Sequence, residues 1–386
     1  MTTRRHVLEW LAAAPILSAC GEHALPDPYA AWRDPGAGET DPRRFALAHA
    51  ILAPNPHNTQ AWQVELRGDD EMLLYCDLER RLPFTDPLDR QITIGCGCFL
   101  ELYGIAARQH RYDATIAFFP DGEPSPRLDA RPLAQVKLVR IESALAPGED
   151  PLFRQIAMRR TNREVYDVTR SPSAADFGAL DSVVTNTGEE YPGRFFWTAD
   201  EQRVAALRDL VWRAFEREMH TTGALAETYQ WLRFGREEIA EHGDGLGIEG
   251  PMMPLFKLLG LVSREAMIDP QSQSNRLALA DWRKKAESAP AFLWLTSTDD
   301  SPVSRLLTGR FYARLALAAQ SLGLAMHPWS QALQEYEEMA DLYAEARQFL
   351  SPGGETVQML ARVGYADSVA PSARRSAEAL IRPPSP

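Results

Sequence analysis

Lysine is nearly absent from this 386-residue chain, which carries it at only four positions, so arginine supplies almost all of the positive charge. The net charge is −12 and no long run of basic residues interrupts it. This argues against a nucleic-acid-binding protein, because phosphate backbones require a basic surface. No apolar stretch reaches the roughly 18 residues of a membrane-spanning helix.

Cysteine is scarce as well, with four residues in the whole chain. The spacing of Cys96 and Cys98 is not that of a zinc site, and no second cluster of cysteine and histidine accompanies it. These thiols are interpreted as small buried side chains. Hydrophobic residues make up 45% and charged residues 24%, which is typical of a globular protein, and the length suggests two domains.

The N-terminus has the features of an export signal. Thr3-Arg4-Arg5 resembles a twin-arginine signal, and a short apolar stretch then leads to Leu-Ser-Ala-Cys, which resembles a bacterial lipobox. We therefore expect a signal peptide at 1–19, lipidation at Cys20 and a polar linker at 20–42. The protein would be exported to the periplasmic side or cell envelope and tethered to a membrane. The alternative is an ordinary N-terminal helix on a cytoplasmic protein.

The rest of the chain predicts an α+β fold that repeats itself. An apolar helix at 90–109 is followed by strands, and a similar helix at 310–324 is followed by another strand. The segment FALAHAIL before the first of these units resembles FGALDSVV before the second. We expect two fused, diverged halves, 43–150 and 151–386, with antiparallel or mixed sheets around a buried central helix pair. The chain would then be a monomeric pseudo-dimer.

Two arginine-rich segments are candidates for binding a phosphate. In an extended chain, Arg159, Thr161 and Arg163 share one face, and guanidinium groups bind oxyanions through paired donors. The alternative for this segment alone, which also contains Arg160, is a solvated basic surface. A second such cluster lies near the C-terminus and consists of Arg374, Arg375 and Ser376.

A polar turn at 55–60 is a candidate for contacting a heterocycle. Asn55, Asn58 and Gln60 carry amides that offer a donor and an acceptor together. The alternative is that these amides cap the backbone of the turn. His57 and His327 are candidate site histidines, although isolated histidines are more often structural. The G-x-G-x-x-G match at 245–250 follows a charged helix rather than a strand, so we interpret it as a flexible loop.

Three segments together resemble the nitroreductase family of FMN flavoproteins, and within it the Acg-like branch. RRTNREVY at 159–166 resembles the family's R-R-S-x-R-x-F, and APNPHNTQAW at 53–62 resembles A-P-S-x-x-N-x-Q-P-W. VGYADSVAPSARRS at 363–376 resembles the closing strand and arginine tail. Two positions depart from the pattern, since Asn55 replaces a serine and Ala61 a proline.

The resemblance implies a nitroreductase-like fold and bound FMN. In this family two subunits build each flavin site, one giving the arginines and the other the N-x-Q turn. Here the second half keeps the arginines and the first half keeps the turn, which implies one intact FMN site between the halves and one abandoned site. The resemblance also places Pro328, Trp329 and Ser330 beside the flavin ring.

The implied function is two-electron reduction of a small nitroaromatic or quinone-like acceptor, with no catalytic side chain predicted. An alternative is a flavin-sequestering protein with little turnover, in which a glycine-rich lid at 240–275 closes the site. A third alternative is a flavin-free relic of the family.

Overall fold

The structure, a computed structural model, describes residues 25–142, 151–185, 191–251, 253 and 268–383. The predicted signal peptide at 1–19 and the predicted lipidation site Cys20 lie outside these residues, as does most of 252–267. The helices are α1 Pro42–Ala50, α2 Arg90–Gln109, α3 Pro151–Ile156, α4 Ala174–Thr185, α5 Glu201–His220, α6 Thr222–Gln230, α7 Gly235–His242, α8 Gln273–Glu287, α9 Pro302–Ser321 and α10 Ala340–Leu350. The strands are β1 Trp62–Arg67, β2 Glu71–Cys76, β3 Tyr112–Phe118, β4 Ala134–Arg140, β5 Gly193–Thr198, β6 Leu232–Phe234, β7 Leu246–Ile248, β8 Ala291–Ser297, β9 Ala325–Pro328 and β10 Thr356–Gly364.

Two four-stranded antiparallel sheets repeat one strand order. The first is β1-β2-β4-β3 and the second is β5-β8-β10-β9, so each half places its strands in the sequence first, second, fourth, third. In both halves a 20-residue helix lies between the second and third strands of the repeat. The expected α+β class with two diverged halves is therefore confirmed.

The two 20-residue helices, α2 and α9, cross at a pair of glycines. A β-carbon on Gly97 would lie 2.0 Å from the carbonyl oxygen of Leu306, and one on Gly309 would lie 1.9 Å from that of Ile94. Each glycine is the eighth residue of its helix, and each opposing carbonyl belongs to the fifth. Such reciprocal contacts are those of a two-fold interface between copies of one unit. The central helix pair is thus as expected.

The halves differ most in the connection between their first two strands. A short turn at 68–70 joins β1 to β2, whereas α5 to α8 and the parallel pair β6-β7 lie between β5 and β8. This insertion builds a second hydrophobic core around α5, which includes Leu207, Val211 and Phe215. The predicted flexible loop at 245–250 is wrong in part, because β7 occupies Leu246–Ile248.

The C-terminal tail leaves the second half and returns to the first. After β10 it reaches the edge of β1, where Ile381 pairs with Val64 and the Arg382 amide donates to the Val64 carbonyl at 2.8 Å. This path carries Arg374 across the boundary between the halves.

Several boundaries differ from the sequence predictions for local reasons. The second central helix begins at Pro302, before the predicted 310, because Ser301 caps it by accepting from the Ser304 amide. The part of the predicted linker from residue 25 onward packs on the protein, with Trp32 only 6% exposed. Cys76, Cys96 and Cys98 are buried free thiols, as interpreted. Within the described ranges no helix is long and apolar enough to cross a bilayer.

Candidate functional site

Three chain segments bring the predicted phosphate arginines together. Helix α3 ends at Ile156, so Arg159 and Arg163 follow it in non-helical chain, and the tail delivers Arg374 from the opposite direction. Arg159 donates from Nη1 to Thr161 Oγ1 at 3.3 Å and from Nη2 to the Leu52 carbonyl at 3.0 Å. We call Arg159, Arg163 and Arg374 the arginine cluster.

Arg374 is held by the turn that follows α1. Its Nη1 donates to Asn58 Oδ1 at 2.6 Å, and its Nη2 donates to the Ala53 carbonyl at 3.2 Å. The Nε atoms of Arg374 and Arg159 are both buried, and neither has a hydrogen-bond partner in the described part of the chain. Two buried donors without acceptors are costly unless a ligand supplies the acceptor.

The arginine cluster has no counter-ion among the described residues. Burial lowers the pKa of Arg159 to about 10 and that of Arg374 well below its usual value, and the neighbouring guanidinium charges lower both further. Burial lowers the pKa of Arg163 as well. Because each of these shifts disfavours the charged form, a bound anion would relieve all of them at once. The cluster therefore has the donors and the charge of an oxyanion site.

The amides of the polar turn bind the chain itself. Asn58 Nδ2 donates to the carbonyls of Gly245 and Ala373 at 2.9 and 3.0 Å, and Gln60 Nε2 donates to Gly243 at 2.9 Å. Asn55 Oδ1 accepts from the Gln60 amide at 2.8 Å. Asn55 thus caps the backbone of its own turn, whereas Asn58 and Gln60 bind the backbone of distant segments. Contact of these amides with a heterocycle stays a prediction. Their role is to join three segments beside Arg374.

The same turn has an unusual backbone. His57, Asn58 and Gln60 have φ values of 48°, 53° and 51°, a region that costs non-glycine residues energy. The hydrogen bonds of the amides, together with the Gly245 amide donating to the Asn58 carbonyl at 3.0 Å, hold this conformation. Strained backbone held by its surroundings is common at functional sites.

Two neutral histidines flank Arg163. Burial and the charge of Arg163 lower the pKa of His57 to about 4, and burial together with Arg362 and Arg163 lowers the pKa of His327 well below its usual value. Arg362 lies opposite His327 across β10 and β9 and donates from Nε to His327 Nδ1 at 3.2 Å. Since Nδ1 accepts, Nε2 of His327 carries the ring proton. This end of the site offers hydrogen-bond donors.

The predicted ring contacts are only partly available to a ligand. Trp329 is 1% exposed and donates from Nε1 to the Val211 carbonyl at 3.1 Å, packing against Trp282 and His327. Ser330 Oγ lies 3.2 Å from the side chain of Gln91, and Pro328 pairs with Ala361 in the sheet. These residues lie next to His327. They are therefore close to one member of the arginine cluster, Arg163, and do not belong to the cluster themselves.

Two members of the predicted C-terminal cluster point away from Arg374. Arg375 donates to the Ala379 carbonyl at 3.1 Å, and Ser376 is exposed and accepts from the Ala379 amide at 3.3 Å. The backbone amide of Arg375 contributes instead, donating to Gln60 Oε1 at 2.9 Å. Of the three predicted side chains, only Arg374 joins the arginine cluster.

Three residues that the sequence analysis passed over also belong to the site. Trp32 lies against the arginine cluster, Tyr312 of α9 is buried within electrostatic reach of Arg159 and Arg163, and Arg362 orients His327. A lone tryptophan in a segment rich in proline and glycine was the available signal for Trp32. Tyr312 and Arg362 sit inside apolar segments, where periodicity marks them only as core.

The described part of the predicted lid contacts the site. Gly243 and Gly245 accept from the turn amides, and both have positive φ values, 63° and 71°. A β-carbon on Gly245 would lie 2.3 Å from the Trp231 carbonyl oxygen. Glycine is therefore required for this loop to reach Asn58.

The chain is similar to curated proteins with nitroreductase names, although no family model matches it. It is 25% identical over 350 residues to a Mycobacterium tuberculosis protein with the provisional name NAD(P)H nitroreductase Rv3131, covering 88% of this chain and 91% of that one. It is 22% identical over 307 residues to the provisionally named NAD(P)H nitroreductase PigM of Serratia, covering 75% and 80%.

Solved structures show a weaker likeness. The FMN and NADPH-dependent nitroreductase NfnB from Sphigopyxis sp. strain HMH is 18% identical, with 61% of this chain and 99% of that chain covered, at a TM-score of 0.40. The FMN-dependent NfnB from Mycobacterium smegmatis is 20% identical, with 56% and 88% covered, at a TM-score of 0.33.

Proposed function

We propose that this chain is an FMN-dependent oxidoreductase of the nitroreductase type, with the phosphate of one FMN bound at the arginine cluster. The observation that carries the proposal is the cluster itself. Arg159, Arg163 and Arg374 are brought together without a carboxylate among the described residues, and two of their Nε donors are buried without an acceptor. A phosphate monoester supplies the missing charge and acceptors.

Other residues of this chain would orient the cofactor and protect the site. Thr161 offers a hydroxyl beside Arg159, and Asn58 holds Arg374 in place through its Oδ1. His57 and His327, kept neutral beside Arg163, offer N–H donors without adding charge. FMN, when bound, supplies the hydride chemistry.

The substrate class that fits is a small planar acceptor of two electrons, such as a nitroaromatic compound or a quinone. The oxygens of such compounds gain negative charge on reduction, and the Nε2–H of His327 is a donor that stabilises it. Curated relatives named as NAD(P)H nitroreductases support NADPH as the first reductant to try.

A flavin-sequestering function is the second candidate, favoured by how firmly the chain is tied across the site. Gly243 and Gly245 of the insertion hold Asn58 and Gln60 by hydrogen bonds, and the Arg374 amide donates to the Pro28 carbonyl at 2.9 Å. Both ties must open for an acceptor to enter from these sides. Fast bleaching of bound flavin by NADPH without oxygen or acceptor, with the yellow colour returning when an acceptor is added, supports the enzyme. Flavin that stays yellow after NADPH is added supports storage.

The decisive experiment measures FMN affinity in an Arg159→Ala, Arg163→Ala double variant. Each charge-assisted contact contributes about 1.5–3 kcal/mol, so loss of one should weaken FMN binding roughly tenfold to a hundredfold, and loss of both should weaken it further. Arg131→Ala is the matched control, because Arg131 is an exposed arginine paired with Asp129 in the first half. Unchanged FMN affinity in the double variant contradicts the proposed site.

We also propose that the protein is exported in folded form and anchored through a lipid on Cys20. A protein that takes up FMN in the cytoplasm needs a route for folded chains, which is what the twin-arginine pattern predicts. Cys20→Ser should move the protein from the membrane to the soluble fraction. The export is contradicted if wild-type protein is found in the cytoplasm and its mass shows that it begins at Met1. The FMN proposal does not depend on this result.

A further inference from the structure

The segment 25–33, which we call the N-terminal strap, lies across the arginine cluster. A 3₁₀ turn at Ala30–Trp32 directs Trp32 inward, and its Nε1 donates to the Ser372 carbonyl at 2.7 Å. One residue further along the tail, the Ala373 carbonyl accepts from Asn58. The Arg374 amide donates to the Pro28 carbonyl at 2.9 Å. The strap is thus fixed at two points to the segment that carries Arg374.

The indole of Trp32 contacts three guanidinium groups. The Cζ atoms of Arg160, Arg374 and Arg159 lie 4.3, 4.9 and 6.0 Å from the Trp32 ring centroid. Attraction between a cation and an aromatic face uses the π electrons of the ring and consumes no N–H donor. The buried Nε donors of Arg159 and Arg374 therefore remain available to an anion.

Trp32 also provides negative potential to a cluster that has no carboxylate partner among the described residues. The guanidiniums lower one another's pKa, so the cluster is a site of like-charge repulsion. A carboxylate would relieve this repulsion, but it would also compete with an incoming phosphate. An aromatic face attracts cations without offering a hydrogen-bond acceptor in the plane of the donors.

We propose that Trp32 is a positioning residue of the phosphate site, holding Arg159, Arg160 and Arg374 together for a phosphate monoester. The proposal rests on the proposed function, because FMN is the phosphate monoester in question. It makes the N-terminal strap part of the cofactor site. It also distinguishes Trp32 from an ordinary core tryptophan, which would contribute only by burying apolar surface.

Two ligands and two substitutions separate these roles. FMN carries the phosphate and riboflavin lacks it, so a loss confined to FMN locates the effect at the phosphate. Trp32→Phe keeps an aromatic face, whereas Trp32→Leu keeps apolar bulk without one. Titrating FMN or riboflavin into purified apoprotein, with flavin fluorescence as the signal, gives each affinity.

We expect Trp32→Leu to weaken FMN binding about tenfold, as the loss of several partly buried cation–π contacts implies, with riboflavin binding unchanged. Trp32→Phe should stay within about threefold of wild type. Equal losses in the two variants, or an equal loss for riboflavin, overturn the proposal in favour of simple packing. If Trp32→Leu binds FMN as tightly as the wild type does, the role of Trp32 is overturned and the proposed function stands. If the wild-type chain itself binds no FMN, both proposals are overturned.

A second measurement covers the case in which Trp32→Leu fails to fold. Fluorinated tryptophans placed only at position 32 keep the shape of the indole and withdraw π density in steps. FMN affinity should then fall with each added fluorine while riboflavin affinity stays constant. An affinity for FMN that does not change along the series overturns the proposal.

Discussion

Arg159 and Arg374 illustrate how a single residue type acquires a function through burial. Both guanidiniums donate to carbonyls of the segment that follows α1, and the Nε of each has no acceptor among the described residues. Several other buried arginines pair with carboxylates, as in Arg233 with Asp244 at 2.7 Å or Arg310 with Glu101 at 2.8 Å. The contrast indicates that the unpaired positive charges of Arg159 and Arg374 are there to bind a ligand and not to stabilise the fold.

Glu218 gives a residue-scale prediction away from the site. It is 2% exposed, accepts from Gln334 Nε2 at 2.7 Å, and burial raises its pKa from its ordinary value of 4.5 to about 7. An acid with a raised pKa favours folding while it is protonated, so its contribution is full below pH 4.5 and is lost as the pH rises to 7. The loss amounts to about 3 kcal/mol.

Glu218→Gln should therefore abolish most of this pH dependence and make the protein more stable above pH 7. Urea unfolding at pH 5 and pH 8 measures the difference in the free energy of unfolding. Glu237→Gln is the control, because Glu237 is an exposed acid in the same insertion. A stability difference between pH 5 and pH 8 that is the same in Glu218→Gln and wild type would count against the raised pKa.

At the scale of elements, the crossing of α2 and α9 organises the molecule. The two helices approach so closely that backbone meets backbone, with Gly97 against Leu306 and Gly309 against Ile94. Any side chain at these glycines collides with a main-chain carbonyl, which cannot rotate away as a side chain can. Residues on both helices then build the buried bridge between Glu101 and Arg310.

Gly309→Ala should accordingly destabilise the fold by about 3 kcal/mol, the upper end of overpacking costs, because its β-carbon would lie 1.9 Å from the Ile94 oxygen. Thermal unfolding of the variant measures this cost. Gly178→Ala in α4 is the matched control, since nothing lies within 4 Å of the added atom there. That control should be neutral or stabilising by up to about 1 kcal/mol, because alanine is the better helix former. Equal melting temperatures for the two variants would contradict the close crossing.

At the scale of the whole molecule, two halves with the same strand order are joined in one chain and have become different from each other. The insertion and the returning tail both form hydrogen bonds with the turn at 55–60, and the strap is hydrogen-bonded to the tail beside it. An arrangement that gathers parts of both halves at one place is expected to form one site per chain. The first half lacks an arginine segment equivalent to 159–163.

One FMN per chain is therefore the expected stoichiometry at saturation. Absorbance of the flavin released from a known amount of pure protein measures it directly. The Arg159→Ala, Arg163→Ala variant should drop toward zero at FMN concentrations that just saturate the wild type, which ties the single flavin to the arginine cluster. A ratio of two in the wild type would mean that the other interface position still binds.

Much of this architecture could be predicted from periodicity and composition. The helix expected at 90–109 is α2 with the same bounds, because its pattern is local and strongly apolar. The grouping of Arg159 with Thr161 also follows from the sequence, since residues two apart in extended chain share a face.

Other features could not be predicted, because they depend on contacts between distant segments. The strap was expected to be a linker, since its composition is polar and irregular, yet Trp32 packs against arginines more than 120 residues away. The amides of Asn58 and Gln60 were expected either to contact a heterocycle or to cap their own turn, yet they bind carbonyls of the distant insertion and tail. Arg374 and Arg375 are neighbours with opposite directions, which no spacing rule distinguishes.

The sequence by itself determined the repeat of helices and strands, the residue types available to an anion and the positions of two glycines that permit a close helix crossing. The tertiary structure alone decided which arginines are buried and left without counter-ions, and which histidines are held neutral beside them. The physical reason is that periodicity is a property of neighbouring residues. Desolvation, and with it the pKa of Arg159 or His327, depends on every segment that packs around the group.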